Sequence, residues 1–350
     1  AAVPRASIPS TQREVKGMKT QSRLPLLTAH TLFKGKLPPD DPRSGRYFAM
    51  YSSVLGGIVT DPRLMTIPLE DHMVHRGDGV FETLAIHHGK VYQLKPHLER
   101  LARSAALAGI EFPAPEREIE GILLETAAVG RARDATARVF TSRGTGGFSV
   151  NPKECSQSHL YIIVTAPESP PAAYRLHGMK VITSSIPARG EGPAQMKSCN
   201  YLPNALMELE AQKRGVDSAV GVDEAGFLAE GSNKNLAIIT PDRVFKTPTF
   251  RHCLQGTTLL RVMELARDLV EEGEGVLTDV VQADIPREEA YGAAEMMFLG
   301  TTLKVLPIVE FDGHPIGGGR PGPGALRLRE ALERDMIEND ALLTPVPYAD

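Results

Sequence analysis

The stretch MKSCNYLPN, residues 196–204, carries one lysine, Lys197, between a predicted strand over Lys180–Ser184 and a predicted helix over Leu202–Lys213. At such a junction the lysine amine can react with a carbonyl group that the fold holds in place. Most lysines, however, are solvated surface charges, so this lysine alone proves little. The motifs around it must decide between a reactive amine and a surface charge.

A carboxylate motif, LAEGSNKN at residues 228–235, follows further along the chain. Its carboxylate, Glu230, comes after the alternating apolar run of a strand and before a tight Gly-Ser-Asn turn. Pyridoxal phosphate chemistry needs an amine that forms an imine with the cofactor and an anion that keeps the pyridine nitrogen protonated. Lys197 and Glu230 meet these two needs, although a solvated glutamate at the end of a hairpin remains the alternative.

Two segments can bind the phosphate group of such a cofactor. QGTT at 255–258 opens a predicted helix that runs to about residue 272, and LGTT at 299–302 follows a predicted strand over Glu295–Leu299. Free backbone N–H groups at a helix N-terminus and nearby hydroxyl groups bind phosphate well. A plain helix cap or turn residue is the alternative for each threonine.

These motifs carry a family resemblance, because four of them occur in the expected order: HRGDGVFETL (75–84), HLERL (97–101), KSCNYLPN (197–204) and AEGSNKN (229–235). From about residue 48 to about residue 335 the chain resembles the fold-type IV pyridoxal-phosphate enzymes. This family includes branched-chain aminotransferases, D-amino acid aminotransferases and aminodeoxychorismate lyases. The likeness is strongest to the plant plastid D-amino acid transaminases, especially in AMYSSVLGGIVTDP (49–62). It implies an α+β, two-domain fold with mixed sheets and the cofactor between the domains.

The resemblance also implies a role for individual residues. Lys197 would form the imine and then carry out the 1,3-proton shift, Glu230 would bind the pyridine nitrogen, and Tyr201 would bind the cofactor's phenolate oxygen. Arg100 would bind the phosphate with its planar fork. The full cofactor-binding set is Arg100, Lys197, Tyr201, Glu230, Ser232, Asn235, Thr257, Thr258 and Thr301, and the substrate-binding set is Phe81, Arg143 and Thr302.

Some of these positions have structural alternatives or depart from the family pattern. Tyr201 can equally be a core tyrosine, and Arg143 can be a loop charge. The loop SRGTGGFSV (142–150) has Phe148 about where relatives place an arginine that recognises the substrate carboxylate. Asp78 and Glu82 form a tempting acid–base pair, but the surrounding glycines favour structural roles. No metal site is predicted, since the histidines lack metal-binding spacing.

Composition indicates a globular protein of two domains. The chain has 350 residues, 42% hydrophobic content, a net charge of −4 and a pI near 6.2, which predicts neither nucleic-acid nor membrane partners. Three scattered cysteines favour a reducing compartment. Cys199 is either a redox-sensitive thiol or a small buried hydrophobic residue.

The predicted organisation has four parts. An N-terminal arm covers residues 1–46, a small α/β domain 47–166, a proline-rich linker 167–177, and a larger cofactor-binding domain 178–350. The first 36 residues contain seven Lys or Arg and one acidic residue, and the chain starts at Ala. This bias predicts the remnant of a transit peptide and a plastid location, with a flexible cytosolic arm as the alternative.

The expected activity is that of a D-amino acid transaminase acting on D-alanine or D-aspartate with a 2-oxo acid. Aminodeoxychorismate lyase, which releases 4-aminobenzoate and pyruvate, is the second hypothesis, and branched-chain L-amino acid transamination is the third. A catalytically silent binding homologue is disfavoured, because every expected cofactor residue is present. The family also implies a homodimer.

Overall fold

The computed structural model describes residues 45–273 and 275–349, and its first sheet has seven strands. In sheet order these are β16 (Leu343–Pro345), β4 (Lys90–Tyr92), β3 (Gly79–His87), β5 (Ala135–Ser142), β6 (His159–Thr165), β1 (Tyr47–Ser52) and β2 (Gly57–Val59). All the pairings in this sheet are antiparallel. The predicted hairpin at His88-Gly89 is confirmed, because both residues have positive φ and join β3 to β4.

The second sheet has nine strands and mixed directions. Its main order is β12 (Asp279–Gln282), β11 (Val244–Thr247), β10 (Asn235–Ile239), β13 (Glu295–Gly300), β14 (Lys304–Phe311), β7 (Met179–Thr183), β8 (Ser218–Val222) and β9 (Leu228–Gly231), and β15 (His314–Pro315) pairs with β14. Three of its pairings are parallel: β11–β12, β14–β7 and β7–β8. Mixed strand directions are thus confined to this sheet.

Nine α-helices lie among the described residues. They are α1 (His72–Arg76), α2 (Leu94–Leu107), α3 (Glu116–Gly130), α4 (Ala172–His177), α5 (Glu191–Ala194), α6 (Leu202–Lys213), α7 (Thr257–Glu271), α8 (Arg287–Tyr291) and α9 (Pro323–Glu338). Short 3₁₀ turns occur at Pro62–Leu64, Pro152–Glu154 and Asp340–Leu342. No described helix has both the length and the apolar character that crossing a membrane requires.

Each sheet is covered by helices whose apolar faces form a core. The apolar residues of α2, such as Leu94, Leu98 and Leu101, pack with α3 against the first sheet. Leu259 and Val262 of α7 pack with α9 against the second sheet. Their three- and four-residue spacing is that of a helix face turned toward a sheet. The α+β class is confirmed.

The structure corrects three details of the sequence prediction. The apolar runs Val220–Leu228 and Asn235–Thr240 predict a hairpin between these two segments, and this prediction is wrong: β8 pairs with β9, whereas β10 is a fully buried strand between β11 and β13. Helix α4 lies inside the predicted linker. Strand β16, near the chain end, joins the first sheet. The division into domains 47–166 and 178–350 stays a prediction, and almost all of the predicted arm, 1–46, lies outside the described residues.

Candidate active site

Lys197 is held against the beginning of β3 by backbone hydrogen bonds. The Phe81 N–H donates to the Lys197 carbonyl oxygen at 2.9 Å, and the Cys199 N–H donates to the Gly79 carbonyl oxygen at 2.8 Å. The Lys197 N–H donates to Ser104 Oγ at 3.2 Å. The backbone of the GDGVFET motif therefore fixes the backbone of the KSCNYLPN motif. This contact explains why the two motifs occur in the same chain.

The Lys197 side chain points into the protein rather than into bulk solvent. It is half-buried, and its Nζ lies 3.4 Å from Tyr201 Oη. The same nitrogen lies 4.7 Å from the centre of the Phe81 ring. Lys197, Tyr201 and Thr301 line two adjoining cavities. The surface-lysine alternative is therefore wrong.

The first cavity contains most of the residues predicted to bind the cofactor. It holds about 430 Å³ of space, part of it open to solvent. Its predicted lining residues are Lys197, Tyr201, Glu230, Ser232, Asn235, Thr257, Thr258 and Thr301. Both predicted phosphate segments, 255–258 and 299–302, contribute to this one cavity.

Glu230 is bound at both carboxylate oxygens. Oε1 accepts a hydrogen bond from Arg189 Nη2 at 2.8 Å, and Oε2 accepts one from the Leu254 N–H at 3.1 Å. Its side chain is only 13% exposed, so the solvated-glutamate alternative is wrong. Arg189, which also lines the cavity, was not predicted, because no motif links it to Glu230 in the sequence.

The N-terminus of α7 opens on the same cavity. No side chain caps it, and Gly256, Thr257 and Thr258 all line the cavity. The preceding segment is clamped, because Asn235 Nδ2 donates to the Leu254 carbonyl oxygen at 2.8 Å. Free N–H groups at this position suit an anion such as phosphate. Ser232, in contrast, turns its hydroxyl toward Glu208.

Arg100 lies beside this helix end but does not line the first cavity. Its Nε and Nη2 donate to the two oxygens of Glu82, each at 2.7 Å, and Nη1 donates to the Gln255 carbonyl oxygen at 3.0 Å. These bonds use three of the five N–H groups of its guanidinium. Arg100 thus places its charge next to the N-terminus of α7, and direct phosphate binding stays a prediction.

Glu82 has a structural role in a buried chain of polar groups. Its Oε2 lies 2.7 Å from His97 Nδ1, and His97 Nε2 lies 3.2 Å from Thr257 Oγ1. Burial would raise the pKa of the Glu82 carboxyl, but the Arg100 guanidinium and then His97 outweigh it and hold that pKa well below its usual range. Burial lowers the pKa of His97 against the pull of Glu82. These hydrogen bonds connect the motifs HRGDGVFETL and HLERL to Thr257 of the QGTT segment.

The structure engages the donors of Arg143 within the fold, and its role as an anchor for the substrate stays a prediction. Its Nη2 donates to Asp78 Oδ1 at 3.0 Å and to the Ala108 carbonyl oxygen at 2.9 Å. Nε binds the second Asp78 oxygen, and Nη1 donates to the Gly109 carbonyl oxygen. Arg143 lines neither of the two cavities. Its donors are used to fix the turn after β5, which is a role that only the tertiary contacts reveal.

The second cavity extends from Lys197 along the first sheet. It holds about 760 Å³ of space, including open solvent. Phe81 and Thr302, both predicted to bind substrate, line it, and so do two residues that were not predicted, Arg138 and Glu168. Arg138 is the charged residue in an otherwise uncharged strand, which is a signal that could have identified it in the sequence.

The Cys199 side chain is half-buried. Burial, and then Asp71, raise the pKa of its thiol to about 12, so the reactive thiolate is scarce at neutral pH. The redox alternative is therefore disfavoured. Among the described residues, no group of His, Cys, Asp and Glu is arranged to hold a metal ion.

The donor set of the first cavity fits pyridoxal phosphate. An amine, a phenol and a carboxylate lie along its wall, and an uncapped helix N-terminus with two buried threonines lies at its end. Gly256 leaves no room for a side chain, because an added Cβ would lie 1.9 Å from Asn235 Oδ1. Glycine therefore leaves room for the Asn235 side chain that clamps the segment before α7.

Comparison with known proteins agrees with this site. The model of the family "Amino-transferase class IV" matches residues 79–311. A D-amino-acid transaminase, chloroplastic, from Arabidopsis thaliana is 41% identical over 309 residues, which cover 87% of this chain and 82% of the relative. A D-alanine aminotransferase from Bacillus licheniformis is 26% identical over 281 residues, covering 79% and 93%.

A solved structure shares the fold as well. The branched-chain amino acid aminotransferase of T.th. with pyridoxamine 5'-phosphate aligns with a TM-score of 0.79 and 28% identity, covering 86% of this chain and 99% of that one. The phosphate cofactor in that structure has the chemistry for which the first cavity is built. On the evidence of sequence, fold and site, this chain belongs to the class IV aminotransferases, a family of pyridoxal-phosphate-dependent enzymes.

Proposed function

We propose that this protein is a D-amino acid transaminase that moves an amino group between a small D-amino acid and a 2-oxo acid. The observation that carries the proposal is the position of Lys197 Nζ on the wall shared by two adjoining cavities. One cavity suits the cofactor and the other suits a substrate. The preference for D-amino acids rests on the 41% identity to the Arabidopsis thaliana transaminase.

The residues of the first cavity would hold the cofactor at both ends. The N-terminus of α7, with Thr257 and Thr258, would bind the phosphate, and Thr301 would add a hydroxyl. Glu230 would bind the protonated ring nitrogen and Tyr201 the phenolate oxygen. When bound, pyridoxal phosphate supplies an aldehyde for the amine and a ring that withdraws electrons. Glu230 is already oriented by Arg189 and Leu254, so little reorganisation is needed.

Lys197 would move the proton during the reaction. With a substrate in the second cavity, its Nζ would take a proton from the substrate α-carbon and hold it, because it is the amine on the wall between the two cavities. Tyr201 Oη, at 3.4 Å, would hold this nitrogen close to that carbon. Phe81 covers one side of the nitrogen with an apolar ring and so limits the access of water.

We also propose that the protein is a homodimer. Large apolar side chains are exposed near the turn after β5 and the loop before β3, among them Val74, Phe148 and Val150. The Arg76 guanidinium binds the Phe148 carbonyl oxygen, so these segments lie together. An exposed apolar patch of this kind suits a protein partner, and a second copy is the occupant that we propose. Sedimentation would test this.

A plastid location is proposed from two observations. The Arabidopsis thaliana relative is named as chloroplastic, and residues 1–36 are rich in basic side chains and poor in acidic ones. The protein labelled at its C-terminal side with a fluorescent reporter should be found in plastids. A cytosolic reporter would contradict the proposal.

A donor screen tests the proposed function. Purified protein reconstituted with pyridoxal phosphate should absorb near ~400 nm, and D-alanine with a 2-oxo acid should shift this band while L-alanine and L-leucine do not. Release of 4-aminobenzoate from aminodeoxychorismate would instead identify the lyase. Faster turnover of L-leucine would identify a branched-chain enzyme.

The lysine assignment has its own test. Lys197→Ala should abolish turnover and the borohydride-stable attachment of the cofactor, because no amine then remains at that point of the wall. Lys213→Ala, at the C-terminal end of α6, is the matched control and should react normally. Turnover by the Lys197→Ala variant would show that another group does the chemistry.

A further inference from the structure

We infer that His97 takes up a proton when the phosphate of the cofactor binds, and that the hydroxyl of Thr257 passes this proton to it. His97 is thus a positioning residue. It does not touch the ligand, but it decides whether the Thr257 hydroxyl accepts a hydrogen bond from the ligand or donates one to it. The inference deepens the proposed function and rests on the proposed position of the phosphate at the N-terminus of α7.

The hydrogen bonds of His97 place its ring proton on Nδ1, which lies 2.7 Å from Glu82 Oε2. Burial would raise the pKa of Glu82, but the Arg100 guanidinium outweighs it and keeps this carboxyl ionised. An ionised carboxylate only accepts hydrogen bonds, so His97 Nδ1 must donate. Because burial lowers the pKa of His97, the ring is neutral near neutral pH and its Nε2 is an acceptor.

This tautomer sets the direction of the next hydrogen bond. His97 Nε2 lies 3.2 Å from Thr257 Oγ1, and the two residues are only 1% and 5% exposed. Since Nε2 accepts, the Thr257 hydroxyl donates to it, and only the hydroxyl lone pairs remain for a group in the first cavity. The terminal oxygens of a phosphate dianion are acceptors as well. At this contact an acceptor would therefore face an acceptor.

One proton removes this mismatch, because a hydroxyl group can accept one proton while it releases another. Thr257 Oγ1 receives a proton from water or from a singly protonated phosphate, and its own proton moves to His97 Nε2. Only O–H and N–H bonds form and break, and Thr257 is unchanged at the end. The Thr257 hydroxyl then donates to the phosphate, and the charged ring donates to both Thr257 and Glu82. Hydrogen bonds of this charge-assisted kind are strong.

The charges that face His97 disfavour the added proton until an anion binds nearby. Burial lowers the pKa of His97 most, and Glu82 of β3 raises it. Arg100 of α2 and Lys197 lower it further. The contact from α7 is the uncharged Thr257, and α3 packs on the apolar face of α2. A phosphate dianion at the N-terminus of α7 adds negative charge next to Thr257 and so favours the imidazolium.

The neighbouring threonine has no such relay. Thr258 is also buried and lines the first cavity. No described residue hydrogen-bonds its hydroxyl, which can therefore donate to a phosphate oxygen without moving another proton. The two threonines thus differ: both contribute to the affinity for phosphate, but only Thr257 couples that affinity to pH.

The test counts protons during cofactor binding. The full chain, freed of cofactor, is titrated with pyridoxamine phosphate, which has no aldehyde and forms no imine with Lys197. Calorimetry in two buffers of different ionisation enthalpy gives the proton uptake at pH ~7.5, where free phosphate is a dianion. Wild type should take up about one proton more than His97→Gln, because glutamine donates and accepts hydrogen bonds but does not titrate. Thr257→Val should lose the same proton while it leaves the bond between His97 and Glu82 in place.

The affinity should follow the same proton. Because binding takes up a proton, the dissociation constant in wild type should rise up to about 10-fold more per pH unit above pH ~7 than in His97→Gln. Thr257→Ser keeps a hydroxyl and should retain the wild-type slope. Thr258→Val should bind more weakly at every pH with that slope unchanged. His177→Gln, at an exposed histidine that ends α4, is the matched control and should bind as wild type does.

Phosphorus NMR of bound pyridoxamine phosphate locates the proton. The signal should keep the chemical shift of a dianion through pH ~6, where free phosphate titrates. A signal that titrated to the monoanion would place the proton on the phosphate and overturn the assignment to His97. Equal proton counts in wild type, His97→Gln and Thr257→Val would overturn it too. If wild type failed to bind pyridoxamine phosphate at all, the proposed cofactor site would fail, and this inference with it.

Discussion

Glu230 shows how single residues of the site are held before any ligand arrives. A carboxylate that is free to rotate would lose part of its effect on a ring nitrogen, but Arg189 and the Leu254 N–H fix both oxygens. Arg189 also offsets part of the negative charge of Glu230, so the attraction of Glu230 for a cation depends on the arginine. Arg189 and Glu230 together therefore set the charge that the site presents to a ring nitrogen.

At this position Glu230→Gln should lower kcat by at least ~10²-fold, because a fixed charge aimed at the reacting system is lost while the shape is kept. Steady-state kinetics with saturating cofactor would measure it. Glu210→Gln on α6 makes the same chemical change outside both cavities and should leave kcat unaltered. A kcat near that of wild type in Glu230→Gln would mean that the carboxylate is a spectator.

A second residue-scale prediction concerns stability. Glu82→Gln should lower the free energy of unfolding by about 3–5 kcal/mol at neutral pH, because it leaves the buried Arg100 guanidinium without its anion. Chemical denaturation would measure it. Glu125→Gln, an exposed change on α3, should cost less than about 0.5 kcal/mol.

The pH dependence of this effect follows from the lowered pKa of Glu82. A carboxyl group whose folded pKa lies below its unfolded value stabilises the fold above the unfolded value, near ~4.3, and loses that contribution as the pH falls. The gap between wild type and Glu82→Gln should thus be constant from neutral pH to about pH 5 and shrink below ~4.3. A gap that widened in acid would contradict the ion pair.

Sequence reasoning identified the residues that act through local motifs and missed those that act through distant partners. Lys197, Glu230 and the threonine turns were predicted because each belongs to a short motif with its own backbone geometry. The Asp78 partner of Arg143 was not predicted, and Arg138 was missed, because the partner of an arginine is decided by the tertiary fold: Arg143 binds Asp78 and Arg138 binds Glu168.

At the scale of elements, the N-terminus of α7 depends on a close approach of two segments. Asn235, at the start of β10, clamps the Leu254 carbonyl, and the absence of a side chain at Gly256 leaves room for it. The backbone at Gly256 has an ordinary φ of −68°, so glycine is needed here for space rather than for conformation. A change to alanine at Gly256 therefore tests the effect of lost space without backbone strain.

We expect Gly256→Ala to weaken cofactor binding and to destabilise the fold by about 1–3 kcal/mol, because the new Cβ must displace Asn235. Titration of pyridoxal phosphate and thermal unfolding would measure the two effects. Gly121→Ala, in the exposed middle of α3 with open space around its Cβ, should instead stabilise by about 0.5–1 kcal/mol. An unchanged cofactor affinity in Gly256→Ala would show that the Asn235 clamp does not contribute to phosphate binding.

Helices with a regular spacing of apolar residues were predicted well, whereas the pairing of strands was not. Helix α6 was predicted at its observed bounds, because three- and four-residue spacing is a local signal. The same spacing predicts helices over His97–Ala108 and Glu116–Val129, which agree with α2 and α3 within a few residues. The partners of β10 were wrong because its run NLAII is apolar on both faces, and such a strand carries no information about its neighbours.

At the scale of the whole molecule, the late strand β16 completes the first sheet, whose other strands come much earlier in the sequence. Strand β16 pairs with β4, and Val346 donates its N–H to the Gly89 carbonyl at 2.9 Å. Tyr348 reaches further, since its Oη donates to the Ala132 carbonyl oxygen at 2.7 Å. The sequence could not reveal this return, because β16 is three residues long and includes a proline.

Ending the chain after Leu342 should therefore lower the free energy of unfolding by about 3–6 kcal/mol, since Leu343 and Val346 would no longer be buried. Differential scanning calorimetry of the shortened protein would measure this. Tyr348→Phe removes only one hydrogen bond and should cost about 1 kcal/mol. A shortened chain as stable as the full one would show that the first sheet does not need its last strand.

The late position of β16 has a consequence for biosynthesis. While the ribosome is still making residues 343–345, the nascent chain already contains every other described strand of that sheet, yet the outer edge of β4 has nothing to pair with. Unpaired strand edges recruit other chains, so newly made polypeptides are most prone to associate with one another before β16 is available. Chaperone capture should accordingly fall once β16 emerges from the exit tunnel.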